Sequence, residues 1–445
     1  MDRAERFLAE GRYQEAYREL LRRLQVPRAK SAARAALRLA EFYALYGEAE
    51  LENLEAALAE AERLDPEIER DPLFRALDAL AAALSGKKPA LFSPEDPRAA
   101  YHLAQAALFA GEPERAIALL EAARPLPEFL AWRAADLRAK SLEDLGRSRE
   151  AFEAYKEAFF KSNPGDRPYL ALDAAALALD AGMPEEAREM LAAGGPPPDP
   201  DAEASWYYLR ARAELALGNP HRALDLLAEA ERREDELGEA SYGVALLKGQ
   251  AAMELGRFDE AERAFAEALE RAPEEEKSYA RHELAASLLE AGKSDAAERV
   301  LKALFADTAY AHRGAVAADL AELYYRLADL EATRAWAREA ILLGQAAAGE
   351  LFLGHVAYDR MQLEEALEHY RRVTELAPEG SREWLVAQQT AVEILAQLGY
   401  PDPAEVLERA RLALRYTPLA DDWAGALRLY AERAEELLRG GRTLN

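Results

Sequence analysis

Cysteine is absent from all 445 residues, which excludes disulfides, thiolate zinc sites, iron–sulfur clusters and cysteine nucleophiles. Asparagine occurs only at Asn53, Asn163, Asn219 and Asn445, and lysine at only ten positions. So few thermolabile side chains suit a thermophilic source, and a GC-rich bacterial genome gives the same bias. Positive charge is in deficit: 56 Lys and Arg face 82 Asp and Glu, a net −26. A field of that sign repels phosphates, so nucleic acid is not an expected partner. Long apolar runs are missing too. The longest stretch free of charge, Ala99 to Gly111, has 13 residues, against the roughly 18 a membrane-spanning helix needs. The opening MDRAERFLAEGRYQEAYRELLRR is charged from its second residue and offers no apolar signal-peptide core. These absences predict a soluble, cytoplasmic protein without membrane insertion. What remains is 50% apolar and 31% charged, the balance of a folded chain.

Catalytic and metal signatures are also lacking. The six histidines, at 102, 221, 282, 312, 355 and 369, include no pair three or four apart, so no helix presents two imidazoles to one metal. No H-E-x-x-H, P-loop, G-x-G-x-x-G or G-x-S-x-G motif occurs. Adjacent acids such as Glu274, Glu275 and Glu276 sit where a solvated helix start favours carboxylates. The expectation is no enzyme, no cofactor and no metal.

The chain is built on a period. GRFDEAERAFAEALERAP from Gly256 has relatives at Gly11, Gly111, Gly146, Gly182, Gly218, Gly292, Met361 and Gly399. Alanines five residues into these segments stand at 16, 116, 151, 187, 223, 261, 297, 332, 366 and 404. From Ala116 onward every gap lies between 34 and 38 residues, which marks a repeat array. Seven residues before the turns stand Ala40, Ala104, Ala139, Ala175, Ala211, Gly249, Ala285 and Gly354. A small residue at fixed offset marks a close helix approach. Leu320 and Val392 are the exceptions, before irregular turns near Leu327 and at Gly399. Apolar residues recur at helical spacing between turns, as in Leu284, Leu288 and Leu289. Each unit therefore reads as a helical hairpin with two apolar faces, stable only when stacked into a solenoid.

Gly249, Gly256, Phe258, Ala261, Phe265, Ala268 and Pro273 together resemble the tetratricopeptide repeat. The resemblance extends over nearly the whole chain, in ten or eleven units, and implies an all-α, right-handed solenoid of hairpins. Pentatricopeptide repeats have a similar period but are basic and read RNA, whereas this chain is acidic.

Two breaks divide the array. SGKKPALFSPEDP, residues 85–97, reads as an extended loop where a second helix is due, and GGPPPDP, residues 194–200, as a linker or hinge. The expected organisation is a sub-array over 1–193, a second over 201–418, and a capping helix with tail over 419–445. That helix has a stripe of Leu419, Trp423, Leu427, Tyr430, Ala434 and Leu437.

The resemblance implies that first helices line a concave face, with positions ten and six before each turn pointing inward. Projection onto this chain gives Tyr101, Tyr208, His282 and Leu351 from the first set, and Gln105, Lys140, Arg212, Gln250 and His355 from the second. Aromatic, amide and cationic groups on an acidic protein favour an extended or helical peptide. The carboxylate clamp that some such domains use for a chaperone tail needs asparagines on first helices, and none of the four is so placed. The leading expectation is a non-catalytic scaffold whose groove, through Tyr101, Gln105, Lys140, Tyr208, Arg212, Gln250, His282 and His355, binds a peptide or protein segment. The alternative is a sensor array for a small ligand, or for an effector domain, in a bacterial signalling or transcription system.

Overall fold

The structure, a computed structural model, describes residues 2–26, 28–123, 125–418 and 421–442. Leu419 of the expected terminal stripe and the tail from 443, including Asn445, lie outside them. Two compact units emerge, residues 1–240 and 241–445. Among the described residues all regular structure is helical.

The first unit holds six hairpins. α1 (Arg3–Ala9) pairs with α2 (Tyr13–Leu24), and α3 (Ala29–Ala44) with α4 (Leu51–Leu64). α5 (Pro72–Leu84) has no second helix, and residues 88–94 after it carry no regular structure. That segment is nonetheless held, because Arg75 lies 4.2 Å over the Phe92 ring and Arg115 donates to the Leu91 carbonyl. α6 (Pro97–Phe109) then pairs with α7 (Pro113–Ala122), α8 (Glu128–Asp144) with α9 (Ser148–Lys161), and α10 (Arg167–Asp180) with α11 (Pro184–Gly194). α12 (Pro200–Ala216) and α13 (Pro220–Leu237) complete it. The expected break at 194–200 therefore lies inside this unit, where α11 packs on α12 and Trp206 Nε1 donates to the Leu191 carbonyl at 3.0 Å. The contacts thin instead at 240/241.

The second unit holds five hairpins: α14 (Tyr242–Glu254) with α15 (Phe258–Arg271), α16 (Lys277–Glu290) with α17 (Ser294–Ala306), and α18 (Arg313–Arg326) with α19 (Leu330–Leu342). α20 (Ala346–Asp359) with α21 (Leu363–Leu376) and α22 (Arg382–Gln397) with α23 (Pro403–Leu414) follow. α24 (Asp422–Arg442) lies on α22 and α23 and buries Ala424, Leu427 and Ala434 against them.

The turn explains the period. At Gly256, φ is +69°, and the amides of Gly256 and Arg257 bond back to the carbonyls of Met253 and Ala252. This left-handed residue satisfies carbonyls the helix end leaves open. The same pattern forms at Ala328, φ +57°, so the turn sits one residue later than the glycine-based reading placed it. The small residue of that hairpin is then Ala321, not Leu320, and the packed position of its second helix is Thr333, not Ala332. Both Ala321 and Thr333 are fully buried. Near Gly399 two consecutive residues have positive φ. α23 consequently starts late and buries Val406, while Ala404 stays exposed.

The small residue seats a side chain of the second helix. Ala175, Ala211 and Ala285 share hairpins with buried Leu191, Leu227 and Leu301, and Ala321 with Ala337. Where glycine stands instead, the guest is a ring. A Cβ on Gly249 would fall 2.4 Å from Phe265, and one on Gly354 would fall 3.0 Å from Tyr370. Small and large thus trade across each hairpin, as dense interiors require. Ala139 with Tyr155 breaks this rule; that ring sends its hydroxyl to Glu143 instead.

Candidate functional site

Within each unit the first helices of successive hairpins touch: α6 on α8 and α10 on α12, then α16 on α18, α18 on α20 and α20 on α22. They form the inner row, where a groove would lie.

In the first unit the early part of that row is filled by the protein itself. α1 reaches across to α8, and Tyr13 hydrogen-bonds Asp166 while accepting from Arg133 at 3.1 Å. Behind this closure Arg38 binds both Glu5 and Glu41, at 2.7 and 2.6 Å, and Arg98 binds the same two carboxylates. These side chains are 5–28% exposed, so the charges are paired because water cannot serve them. Tyr101 and Gln105 sit here. Tyr101 is 3% exposed, and the Gln105 amide oxygen accepts from the buried His102 Nδ1 at 2.7 Å. Neither presents a surface to a guest.

Further along the row, Lys140 pairs with Asp136 at 3.0 Å and approaches Asp173. Burial, opposed by Lys140, pushes the Asp173 carboxyl up to about 6. Arg212 donates to Asp180 at 2.9 Å, and half-buried Tyr208 lies four residues before it on α12.

The second unit has the open site. A pocket of about 480 Å³ is walled by α18, α20 and α22. Its apolar surface comes from Leu351, Phe352, Val386 and the Tyr325 ring, which stacks on His355 with centroids 5.1 Å apart. His355 Nδ1 hydrogen-bonds the Tyr370 hydroxyl at 2.7 Å, leaving Nε2 with no partner among the described residues. Burial pushes this imidazole down to about 4, against the pull of Asp359, so it is neutral at pH 7. Burial likewise pushes Tyr325 up to about 12, with Asp359 adding to it. The charged wall is mostly spoken for. Asp319 binds His282 Nε2 at 2.7 Å, and Arg326 binds Glu322 and Glu290. Arg382 and Glu383, at the start of α22, line the pocket without an ion-pair partner among the described residues.

Of the eight residues expected from sequence, His355 lines this pocket, and His282 reaches it through Asp319. Gln250 lies elsewhere in the same unit, with its amide toward the Tyr279 hydroxyl at 3.4 Å. Tyr325, Arg326, Phe352 and Arg382 went unpredicted. The α18 contribution was hidden by its turn. Counting six and ten back from Ala328 gives Glu322 and Ala318, both on the pocket wall, but alanine in a left-handed turn carries no sequence signal. Arg382 stands too near its helix start for any fixed offset to find it.

Among the described residues no helix is long and apolar enough to cross a membrane, and no three histidine, aspartate or glutamate side chains converge as a metal would need. No curated protein matches the sequence. Among solved structures, a signal-transduction ATPase from Pyrococcus horikoshii with a tetratricopeptide repeat sensor is similar over 84% of this chain and 57% of its own, with TM-score 0.50 and 15% identity. The APC/C hetero-tetramer Cut9–Hcn1 covers 97% and 95% at TM-score 0.44 and 14% identity. A tetratricopeptide repeat protein from Parabacteroides merdae covers 56% and 93% at TM-score 0.42 and 16% identity. The family model described as tetratricopeptide repeat matches residues 252–312, which run from the end of α14 through α15, α16 and α17. The match identifies a tetratricopeptide repeat over those residues, and the same turn and the same seated side chain recur in hairpins before and after it.

Proposed function

We propose that this protein is a non-catalytic adaptor that holds a peptide or protein segment along α18, α20 and α22 of its second unit. The observation that carries this reading is the pocket itself. It is apolar where Leu351, Phe352 and Val386 face it, polar at His355, and edged by an Arg382 that has no ion-pair partner among the described residues. About 480 Å³ accommodates one or two side chains of an extended segment, and a fixed apolar floor with few polar groups is how such sites orient a guest. The neutral imidazole suits a backbone amide or carbonyl rather than a charge. Lys140, Tyr208 and Arg212 form a second stretch of inner row in the first unit, and each cation there already has a carboxylate.

Phage-displayed peptides selected on the full chain test this reading. Selected peptides are expected to bind at least tenfold more weakly, about 1.4 kcal/mol, to Leu351→Trp, which fills the pocket, and to Arg382→Glu. Undiminished binding to both variants refutes it.

The same volume falls within the range of small-molecule sites, which keeps a sensor role as the second reading. A metabolite thermal-shift screen separates the two. A large ligand-specific rise that Leu351→Trp abolishes supports the sensor, and a flat screen supports the adaptor.

A further inference from the structure

A second concavity lies in the same unit and shares no residue with the pocket. This slot of about 360 Å³ opens between α15, α16 and α17, so it is built from two second helices and lies off the inner row. Leu269, Leu284, Val300 and Leu304 supply its apolar wall, and Arg281 and Arg299 stand on it, one from α16 and one from α17. Both arginines are exposed.

Their lack of partners sets them apart. Every other cation on α14 to α17 is engaged. Lys277 binds Glu274, Lys293 binds Asp259 and Glu262, and Lys302 binds Glu298. Arg271 binds Glu267, while Arg263 donates to the Asp259 carbonyl. Arg257 binds Glu260, and Lys248 is also in contact. Among the described residues Arg281 and Arg299 alone on these helices make no hydrogen bond or ion pair; the nearby Glu274, whose charge Arg281 also favours, is bound by Lys277. For Arg281 the reason is local, since the residues three and four away on its helix are Lys277, Ser278, Leu284 and Ala285. For Arg299 it is not. Asp295 stands four residues before it, the favoured order for a helical ion pair, yet no pair forms and the guanidinium lines the slot.

We infer that this slot binds an acidic linear segment of a partner protein, with a large apolar residue seated on Leu284 and Leu304 and carboxylates on either side taken by Arg281 and Arg299. Two cations from two helices call for two anionic groups with an apolar group near them. A fatty acid supplies one anionic group, whereas a segment of the pattern acid–apolar–acid supplies all three needs. A slot of about 360 Å³ has room for a large side chain rather than for a helix. Asp307, which also lines it and caps the Ala309 amide at 3.0 Å, is its sole carboxylate and disfavours an acid at that end. On a chain of net charge −26 acidic partners are repelled in general, so an unpaired arginine couple confers selectivity by local attraction against a repulsive background.

Fluorescein-labelled nonapeptides with a central Leu or Phe between Asp or Glu residues are the probe, titrated by anisotropy against the full chain. Controls replace the acids by their amides, or the apolar residue by Ser. The expected result is binding that falls about tenfold with either control and is lost in Arg281→Glu/Arg299→Glu, with helical circular dichroism unchanged. Arg382→Glu, in the other pocket, leaves it intact, so failure here and failure of the groove reading are told apart. The inference is overturned if no acidic peptide binds above its amide control, if the double variant binds as well as the parent, or if decanoate binds the slot and displaces the peptide by itself.

Discussion

Gly249 offers a sharp test of how these hairpins are held. In α14 a glycine costs about 0.8–1.0 kcal/mol relative to alanine, so propensity alone makes Gly249→Ala stabilising. The structure reverses the sign. The new methyl would lie 2.4, 2.5 and 2.8 Å from three atoms of the Phe265 ring, and Phe265 is fully buried, so the ring has nowhere to go. Overpacking of this kind costs about 1–3 kcal/mol, leaving a net loss of about 1 kcal/mol once propensity is returned. Phe265→Leu alone leaves a void in place of ring atoms and costs about 1–2 kcal/mol, below the Phe→Ala range. The double variant recreates the alanine–leucine pairing of Ala175 with Leu191 and Ala211 with Leu227, and is expected close to the parent. A coupling of about 2 kcal/mol follows, within the range for residues in contact. Because repeat arrays respond locally, the assay is hydrogen exchange resolved to α14 and α15, with urea unfolding as the global measure. Gly354→Ala, whose methyl would press on Tyr370 at 3.0 Å rather than 2.4 Å, is the milder control and is expected near neutral, the tight contact offsetting the gain in helix propensity. If Gly249→Ala slows exchange in α14, or Phe265→Leu fails to rescue it, the seating of a ring on glycine is not what fixes this position.

Arg98→Ala leaves Glu5 and Glu41, 15% and 5% exposed, to share Arg38 alone, and is expected to destabilise the first unit by about 1.5–3 kcal/mol, read by urea unfolding. Met361 holds φ +57° at a turn where most hairpins have glycine, and is 72% exposed. Met361→Gly relieves about 1–2 kcal/mol of left-handed strain against the entropy of glycine, for a net gain of about 0.5–1 kcal/mol in the same assay. His355, pushed down to about 4 by burial, is neutral in the fold and takes a proton first when unfolded. Its contribution is therefore intact above about pH 6.5 and lost as pH falls toward 4, and a proton NMR titration of its ring checks the midpoint. Asp173, raised to about 6, works in the opposite sense: its protonated native form favours the fold at low pH, and that support is lost as pH rises through 6. Asp173→Asn in the first unit and His355→Gln in the second remove the two slopes separately.

Sequence alone determined the hairpin. Its helices follow from apolar spacing, its turns from glycine, and its closest packing from a small residue seven before the turn, all within about 36 residues of one another. Eight of the ten alanines at the packed position are fully buried. The two that are not, Ala332 and Ala404, follow turns where Ala328 or Tyr400 takes the left-handed conformation, a choice imposed by neighbouring packing and invisible in residue type. Which inner faces stay open was decided only by tertiary structure. Tyr101 and Gln105 are buried on α6, which packs on the same α8 that α1 reaches, and nearby Tyr13 meets Asp166 across 153 positions of sequence. The pocket needs one helix from each of three hairpins, and whether Arg281, Arg299 and Arg382 find a carboxylate depends on side chains reaching across helices. A repeat fixes each local hairpin, but small changes at each step accumulate along the stack, so long-range contacts are set by their sum and carry no local mark.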